Sequence, residues 1–225
     1  MMNNLFHNCY ILIPARKGSK GLPFKNRKLF DYTANIIPEE LRNKVFVSTD
    51  DNFIKDRTKY FNFNIIDRPN SISTDETSMK EVLEHFIETK NILDSSIIIL
   101  LYLTYPERTW DDVENIYNYF LDKNATSLTC CEEIKQHPYL CFYERENGKV
   151  ESLINHNLYR RQDYPKCVIQ SMFVSCYRSN IINELHDLLF NKDTIFYKLK
   201  NHKIDVDYNK DINEYIKNKN NNLLV

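Results

Sequence analysis

Short apolar runs and longer amphipathic segments alternate along this chain, and the alternation predicts strands and helices in turn. Helices predicted from 3–4 spacing or polar starts lie at 53–60, 79–90, 111–121 and 180–189, with a polar helix from 211. Strands are predicted at 9–13, 45–49, 64–66, 96–103, 125–131, 169–177 and 204–207. The segment between the first two strands, up to residue 43, shows poor periodicity and receives no element.

Polar residues at the starts of the predicted helices support three of these assignments. Asp50-Asp51, Thr77-Ser78 and Thr109 each stand directly before or close to a helical pattern. Short polar side chains there can accept hydrogen bonds from the first free backbone N–H groups.

Strand and helix patterns in this order predict an α/β fold built from β-α-β units. We expect one domain over residues 1–225: a three-layer α/β/α, Rossmann-like fold with a mostly parallel sheet. The most apolar run, 96–103, should form the centre of the sheet, because a strand there is buried on both faces. Ligands of such folds gather at the carboxyl ends of the strands.

The pattern breaks between about residues 136 and 170. Turn signals at His137-Pro138 and Asn147-Gly148 flank three aromatic residues, Tyr139, Phe142 and Tyr143. We expect a small protruding arm that contacts a second subunit, and hence a homodimer. The Asn/Lys-rich carboxyl-terminal tail should fray.

Charge and hydropathy exclude several classes of protein. The net charge of −1 leaves no basic excess for general binding to nucleic acid. The chain has no apolar run of about 18 residues and its amino terminus lacks the pattern of a signal peptide, so we expect a cytoplasmic protein without a membrane partner. The six cysteines show no Cys-x-x-Cys spacing, which favours buried free thiols over metal ligands.

Glycine is scarce, and its positions single out one loop. The chain has 3 glycines, whereas average usage of about 7% would give roughly 16. Gly18 and Gly21 lie within residues 14–21, directly after the first strand and beside Arg16, Lys17 and Lys20. Glycines let backbone N–H groups approach an anion and the cations supply charge, so the loop is a candidate phosphate site. The alternative is a solvated surface turn, and neither the Walker A nor the dinucleotide-binding motif is present.

The same loop opens a series of motifs that runs along most of the chain. Residues 14–26, with the pattern Pro-Ala-Arg-x-Gly-Ser-Lys-Gly-Leu-Pro-x-Lys-Asn, resemble the signature loop of the acylneuraminate cytidylyltransferases, which join CTP to sialic acid and related nonulosonic acids. Later blocks similar to that family follow in the same order at 47–51, 68–69, 74–78, 137–138, 160–165 and 204–207.

This resemblance implies a reaction and a set of nucleotide contacts. A sugar hydroxyl would attack the α-phosphorus of CTP and release pyrophosphate. Arg16 and Lys20 would hold the triphosphate, with Asp207 as a third catalytic residue. The matching nucleotide-binding positions are Ala15, Arg16, Gly18, Ser19, Lys20, Lys25, Asn26 and Ser78.

Asp205 and Asp207 are candidate ligands of Mg²⁺ or Mn²⁺. Alternation along a strand places both carboxylates on one face, where they can share a cation together with phosphate oxygens. The alternative is a pair of solvent-facing aspartates on an edge strand. Asp211 is expected to cap a helix.

The acidic-sugar side of the site is predicted from the resemblance. Its candidate residues are Arg68, Tyr102, Arg160, Arg161 and Gln162. A guanidinium suits a sugar carboxylate, although the arginines at 160 and 161 suit an arm surface or a subunit interface equally.

Departures from the family pattern leave the acceptor open. On the sugar side, Tyr102 and Tyr105 replace small polar residues, and Gln170-Ser171-Met172 replaces an Asn-Gly-Ala stretch. The segment 28–44 is shorter than is usual in the family, which suggests a trimmed helix beside the nucleotide. Two alternatives to a nonulosonic acid transferase therefore stay open: the same chemistry on Kdo or another acidic sugar, and a nucleotide-binding scaffold that has lost catalysis.

Overall fold

A computed structural model describes residues 6–222, and within them nine strands and five α-helices. The helices are α1 (Lys25–Ile36), α2 (Asn52–Tyr60), α3 (Met79–Lys90), α4 (Trp110–Asp122) and α5 (Asn209–Asn222). The strands are β1 (Cys9–Pro14), β2 (Val45–Thr49), β3 (Asn64–Asp67), β4 (Ile97–Leu100), β5 (Ser127–Glu133), β6 (Phe142–Glu144), β7 (Val150–Ser152), β8 (Val168–Arg178) and β9 (Ile195–Lys198).

Seven strands form one mixed sheet in the order β3-β2-β1-β4-β8-β5-β9. Only β8 runs antiparallel to its neighbours β4 and β5, while the other pairs are parallel. The position of β4 in the middle confirms the prediction from its apolar run. The chain leaves β1 for β2 on one side and reaches β4 on the other, so a crevice opens between β1 and β4 at their carboxyl ends.

Helices cover both faces of the sheet, which confirms the three-layer α/β/α prediction. Ile11 and Ile13 of β1 point into a core formed with α1, α2 and α4. Leu12 between them points into a second core with α3 and a 3-10 turn at Ser179–Glu184. The period-2 alternation of a strand thus feeds two separate hydrophobic clusters.

Helix α1 lies in the segment that the sequence pattern left without an element, and this part of the prediction was wrong. Its buried residues are Leu29, Phe30, Thr33 and Ala34. The N-cap position is Phe24, which makes no side-chain cap and has a left-handed φ of 58°. The start of the helix therefore carries no capping signal that sequence reasoning could detect. The helix has 12 residues, and the expectation that it is trimmed relative to the family stays a prediction.

Two further predictions near the carboxyl terminus were wrong. Residues 180–189 form a 3-10 turn followed by irregular backbone, in which the carbonyls of Asn183 and Leu185 accept hydrogen bonds from Lys80 of α3. Residues 204–207 form no ladder, and the Val206 N–H donates to the Thr104 carbonyl at 2.8 Å instead. The edge strand is β9, whose four residues are too few to give a clear pattern.

The arm is a separate hairpin, as the turn signals predict. Strands β6 and β7 pair antiparallel and form a two-stranded sheet of their own. The reversal at 146–148 contains Asn147 and Gly148, both with positive φ. A contact between this arm and a second subunit stays a prediction.

Several composition-based expectations can be compared with the described residues. All six cysteines are free, and four of them are buried. No helix within residues 6–222 is long and apolar enough to cross a membrane. The amino-terminal residues 1–5 and the last three residues of the expected frayed tail lie outside the described part of the chain.

Candidate active site

A cavity of about 370 Å³ lies at the carboxyl ends of β1, β3 and β4. Its walls come from four segments: the basic loop with the start of α1, the stretch after β3, the stretch after β4 and the segment before α5. The lining residues are Pro14, Arg16, Ser19, Lys20, Gly21, Lys25, Asn26, Arg68, Thr74, Asp75, Thr77, Met79, Tyr102, Leu103, Thr104, Asp207 and Tyr208.

The two glycines of the basic loop serve different purposes. Gly18 has a φ of +82°, a conformation that L side chains rarely adopt. At Gly21 the constraint is space, since an added Cβ would lie 2.5 Å from the Asp207 carbonyl oxygen and 3.1 Å from the Tyr208 ring. Gly21 therefore allows the basic loop to pack directly against the acidic segment before α5.

Arg16 and Lys20 converge on one carboxylate, that of Asp75. Arg16 Nη2 donates to Asp75 Oδ1 in a short contact, and Lys20 Nζ lies 2.8 Å from Asp75 Oδ2. Hydrogen bonds from Lys20 and then Arg16 lower the pKa of Asp75 below its ordinary value. An anion thus occupies the space between the two cations that the motifs assign to a triphosphate.

Arg68 brings a buried positive charge to the cavity wall. The residue is 6% exposed, and its Nε donates to Ser48 Oγ at 3.1 Å. Within the described residues its buried Nη2 finds no hydrogen-bond partner. Burial lowers the pKa of Arg68 to about 10, and the side chain keeps its charge at neutral pH.

Helix α1 presents its first two residues to the cavity. Asn26 Nδ2 donates to the Arg16 carbonyl at 2.9 Å and thereby fixes the basic loop. Lys25 Nζ lies 2.6 Å from Asp207 Oδ1. The helix missed in the pattern is therefore the element that connects the basic loop to the acidic segment.

Asp205 and Asp207 still point to one side, although their segment pairs with no strand. Ile204, which precedes Asp205, and Val206, which lies between the two aspartates, are buried. Buried and exposed residues therefore alternate here without a strand ladder. Asp205 accepts a hydrogen bond from the Tyr105 hydroxyl at 3.0 Å. Desolvation first, and then the negative charge of Asp207, raise the pKa of Asp205 above its ordinary value.

These two carboxylates fit a magnesium site that is completed by a ligand. Across residues 6–222, no group of three His, Cys, Asp or Glu side chains could hold a metal on its own. Mg²⁺ commonly takes one or two carboxylates together with substrate phosphates and water. Asp211 is not part of this pair: its carboxylate accepts the N–H groups of Asp207 and Tyr208, which confirms its role as a cap for α5.

The two tyrosines after β4 have different surroundings. Tyr102 lines the cavity, and desolvation raises the pKa of its phenol. Tyr105 is 3% exposed and does not line the cavity. The expectation that both phenols face the sugar is thus corrected for Tyr105, because its side chain is buried against Phe173.

Several predicted site residues do not line this cavity. Ala15 is buried, and its N–H and carbonyl already bond to Ser48 and Thr49. Ser78 uses its hydroxyl as the N-cap of α3 in a capping box with Glu81. Gly18 shapes the loop from outside the lining. Asp205 does not line the cavity either, although Asp207 does. Arg160, Arg161 and Gln162 lie exposed on the arm, where Arg160 pairs with Asp163 at 2.8 Å.

Sequence reasoning missed Asp75, Thr74, Thr77 and Tyr208 as cavity residues. Asp75 stands inside one of the recognised blocks, yet only Ser78 of that block received a role. The signal that could have found it was an acidic residue in a block that belongs to the same series of motifs as the basic loop. Asp75 lies 59 positions after Arg16 of that loop.

Comparison with known proteins gives one family. A family model described as cytidylyltransferase matches residues 10–218. N-acylneuraminate cytidylyltransferases of Streptococcus agalactiae serotype V and serotype III are each 26% identical over 162 residues, which are 68% of this chain and 39% of each relative. The chain thus spans about two fifths of the length of these curated relatives.

Solved structures share the fold at low sequence identity. CMP:2-keto-3-deoxy-manno-octonic acid synthetase complexed with CTP has a TM-score of 0.62 at 16% identity, with 92% of this chain and 96% of that chain covered. A 4-diphosphocytidyl-2C-methyl-D-erythritol synthase has a TM-score of 0.60 at 10% identity, with the same coverage of 92% and 96%. These likenesses confirm the nucleotidyltransferase fold.

Proposed function

The chain belongs to the cytidylyltransferase family, as its motifs predict, and we propose that it transfers CMP from CTP to the anomeric hydroxyl of a nonulosonic acid of the sialic, legionaminic or pseudaminic type. One observation carries the proposal. Two cations of the basic loop converge on one carboxylate in a cavity that Asp207 also lines. Such a cavity offers positive charge to a triphosphate and a carboxylate to a metal ion.

The residues of the chain act mainly by position and charge. Arg16 and Lys20 bind phosphate oxygens in place of Asp75, and they stabilise the negative charge that shifts to the leaving pyrophosphate. The sugar hydroxyl oxygen forms a bond to the α-phosphorus while the bond to the β-phosphate oxygen breaks. Lys25 beside Asp207 adds a further positive charge in this cavity.

Asp205 and Asp207 are the groups that would hold Mg²⁺ or Mn²⁺. Such an ion, when bound, neutralises phosphate charge and polarises the reacting phosphoryl group. The proximity of Lys25 to Asp207 supports this assignment, because it shows the Asp207 carboxylate open to a cation from the cavity side.

Asp207→Asn tests the metal assignment. The change removes one negative charge and keeps the shape, so turnover should fall and the Mg²⁺ concentration for half-maximal rate should rise about tenfold. A titration of pyrophosphate release against Mg²⁺ measures both. Asp56→Asn is the matched control, since it removes the same charge from an exposed position on α2 outside the cavity and should leave the Mg²⁺ demand unchanged. Full activity of Asp207→Asn at low Mg²⁺ would contradict the assignment.

The class of acceptor sugar is the least constrained part of the proposal. The curated relatives are named for N-acylneuraminate, whereas a fold neighbour is named for 2-keto-3-deoxy-manno-octonic acid. Both are acidic sugars, and Arg68 places a positive charge at the cavity wall that suits the carboxylate of either ligand. The Tyr102 side chain lines the same cavity as Arg68.

A panel of acceptors with purified protein, CTP and Mg²⁺ tests the function. We expect pyrophosphate release with at least one of sialic, legionaminic or pseudaminic acid, and less with Kdo. A preference for Kdo would replace the acceptor and keep the chemistry. CTP binding by calorimetry without release from any acceptor would favour a scaffold that has lost catalysis.

The arm supports a homodimer. Arg160, Arg161 and Gln162 lie on the arm and do not line the cavity of their own chain. They can contact a sugar only if the arm of a partner brings them to the cavity. The arm also exposes Phe142 and Tyr159, which a second copy of the chain would cover.

A further inference from the structure

Tyr105 is a buried phenol whose hydroxyl has two polar contacts. It donates to Asp205 Oδ2 at 3.0 Å, and it accepts the N–H of Met172 at 3.2 Å. Its ring stands at 90° to that of Phe173, with the centroids 5.5 Å apart. The packing of the ring and the two hydrogen bonds together fix the orientation of the hydroxyl.

The direction of these hydrogen bonds follows from the chemistry of the groups. A backbone N–H can only donate, so Met172 must use a lone pair of the phenol oxygen. The single hydroxyl proton is then left for the carboxylate of Asp205. The Tyr105 hydroxyl, which is held in the core, therefore donates to one oxygen of Asp205, namely Oδ2.

The backbone on both sides of Asp205 is tied to the stretch after β4. Residues 204–207 pair with no strand; instead the Val206 N–H donates to the Thr104 carbonyl at 2.8 Å, and the Ile204 N–H donates to Glu107 Oε1 at 2.6 Å. Tyr105 belongs to this same stretch. The residue thus fixes the Asp205 side chain while Thr104 fixes the neighbouring backbone.

We propose that Tyr105 is a positioning residue that orients the Asp205 carboxylate for a divalent cation, and this rests on the proposed role of Asp205 and Asp207. A hydrogen bond that holds a ligating carboxylate in place typically changes metal affinity by about tenfold or more. Tyr105 departs from the small residue of the family pattern, and the departure acts on the cation side of the site rather than on the sugar.

Tyr105→Phe tests the proposal, because it removes the hydroxyl and keeps the ring against Phe173. Binding of Mn²⁺ in the presence of saturating CTP is measured from the electron paramagnetic resonance signal of the free ion. We expect Mn²⁺ affinity to fall about tenfold, while the CTP dissociation constant without metal and the KM for the acceptor change less than twofold. Tyr119→Phe, on α4 with its ring against Tyr197, is the matched control and should bind Mn²⁺ as the unchanged protein does.

The outcomes separate this inference from the function on which it rests. Failure of the unchanged protein to bind Mn²⁺ with CTP would overturn the metal assignment itself. Mn²⁺ binding that weakens in Asp207→Asn and stays unchanged in Tyr105→Phe would overturn the role of Tyr105 alone. An equal loss of Mn²⁺, CTP and acceptor binding would mark Tyr105 as a structural residue only.

A second measurement covers the case in which Tyr105→Phe does not fold. A 3-fluorotyrosine placed at position 105 keeps the hydroxyl and both contacts. Its fluorine resonance should shift when Mg²⁺ is added to the protein with CTP, because the Asp205 carboxylate changes its charge environment. A resonance that Mg²⁺ leaves unmoved would overturn the proposal.

Discussion

Arg16, Lys20 and Asp75 form the most informative contact among single residues. An aspartate carboxylate lies where the motifs place phosphate oxygens, and both cations bind it. The depressed pKa of Asp75 means that the carboxylate stays charged, and the contact intact, to lower pH than for an ordinary aspartate. A nucleotide that enters the cavity must therefore compete with an internal anion.

Arg16→Ala should weaken CTP binding about tenfold or more, because a charge-assisted hydrogen bond contributes about 1.5 to 3 kcal/mol. Calorimetry without metal measures the effect. Lys17→Ala is the matched control: Lys17 lies in the same loop, its side chain does not line the cavity, and its loss should change affinity less than threefold. Equal CTP affinity in Arg16→Ala and the unchanged protein would remove Arg16 from the triphosphate site.

Asp75→Asn should have the opposite effect on CTP binding. The change keeps the shape of the side chain and removes the competing charge, so affinity should rise about threefold to fivefold, the size of a partly exposed ion pair. The gain should shrink in high salt, which screens such pairs. Glu76→Gln removes the same charge next to the cavity and should change little. Weaker CTP binding by Asp75→Asn would indicate that Asp75 serves the bound state instead.

Among the elements, the basic loop and the segment before α5 depend on each other. Gly21 leaves no room for a side chain against Asp207 and Tyr208, and Lys25 crosses from α1 to Asp207. The basic loop and the segment that contains Asp207 are therefore packed as one unit. A substitution in either segment should therefore displace the other segment.

Gly21→Ala should push these two segments apart. Overpacking of this kind costs about 1 to 3 kcal/mol of stability, and the displaced Asp207 should raise the Mg²⁺ demand of turnover. Denaturant unfolding and Mg²⁺ titration measure the two effects. Gly148→Ala is the control, since it lies in the arm with open space around it and a φ of +71°. It should cost stability through backbone strain and leave the Mg²⁺ demand unchanged; the same Mg²⁺ shift in both variants would refute the packing argument.

Helices were recognised where their first turns carry a polar cap. Ser78 and Thr109 both accept from the third backbone N–H in capping boxes, and Asp51 caps α2. Helix α1 has Phe24 at its N-cap position, which provides no such cap, and this helix was missed. Caps are local features of the sequence, whereas α1 is held by burial of Leu29 and Phe30 against the sheet.

For the whole molecule, we predict that the arm contacts a second copy of the chain. Unlike the seven-stranded sheet, the arm hairpin exposes apolar side chains, and Tyr159 is 95% exposed. The protein should sediment at about twice the 27.0 kDa of one chain. The double change Phe142→Asp and Tyr159→Asp should shift it to the monomer, because two buried charges oppose the apolar contact.

Leu93→Asp is the matched control for the dimer. Leu93 is 67% exposed just before β4, on the main domain rather than the arm, and its change should leave the sedimentation unaltered. A monomer at all concentrations of the unchanged protein would refute the homodimer.

Short-range patterns in the chain were sufficient for the α/β class, the central strand, the arm and the basic loop, because strand alternation, helix caps and turns depend on residues a few positions apart. The pairs that build the cavity lie far apart: Lys25 and Asp207 are separated by 182 positions, and Tyr105 and Asp205 by 100. Their meeting depends on the order of strands in the sheet and on the irregular segment before α5. No local pattern encodes that order, so only the fold places Tyr105 beside Asp205, and Asp75 between Arg16 and Lys20.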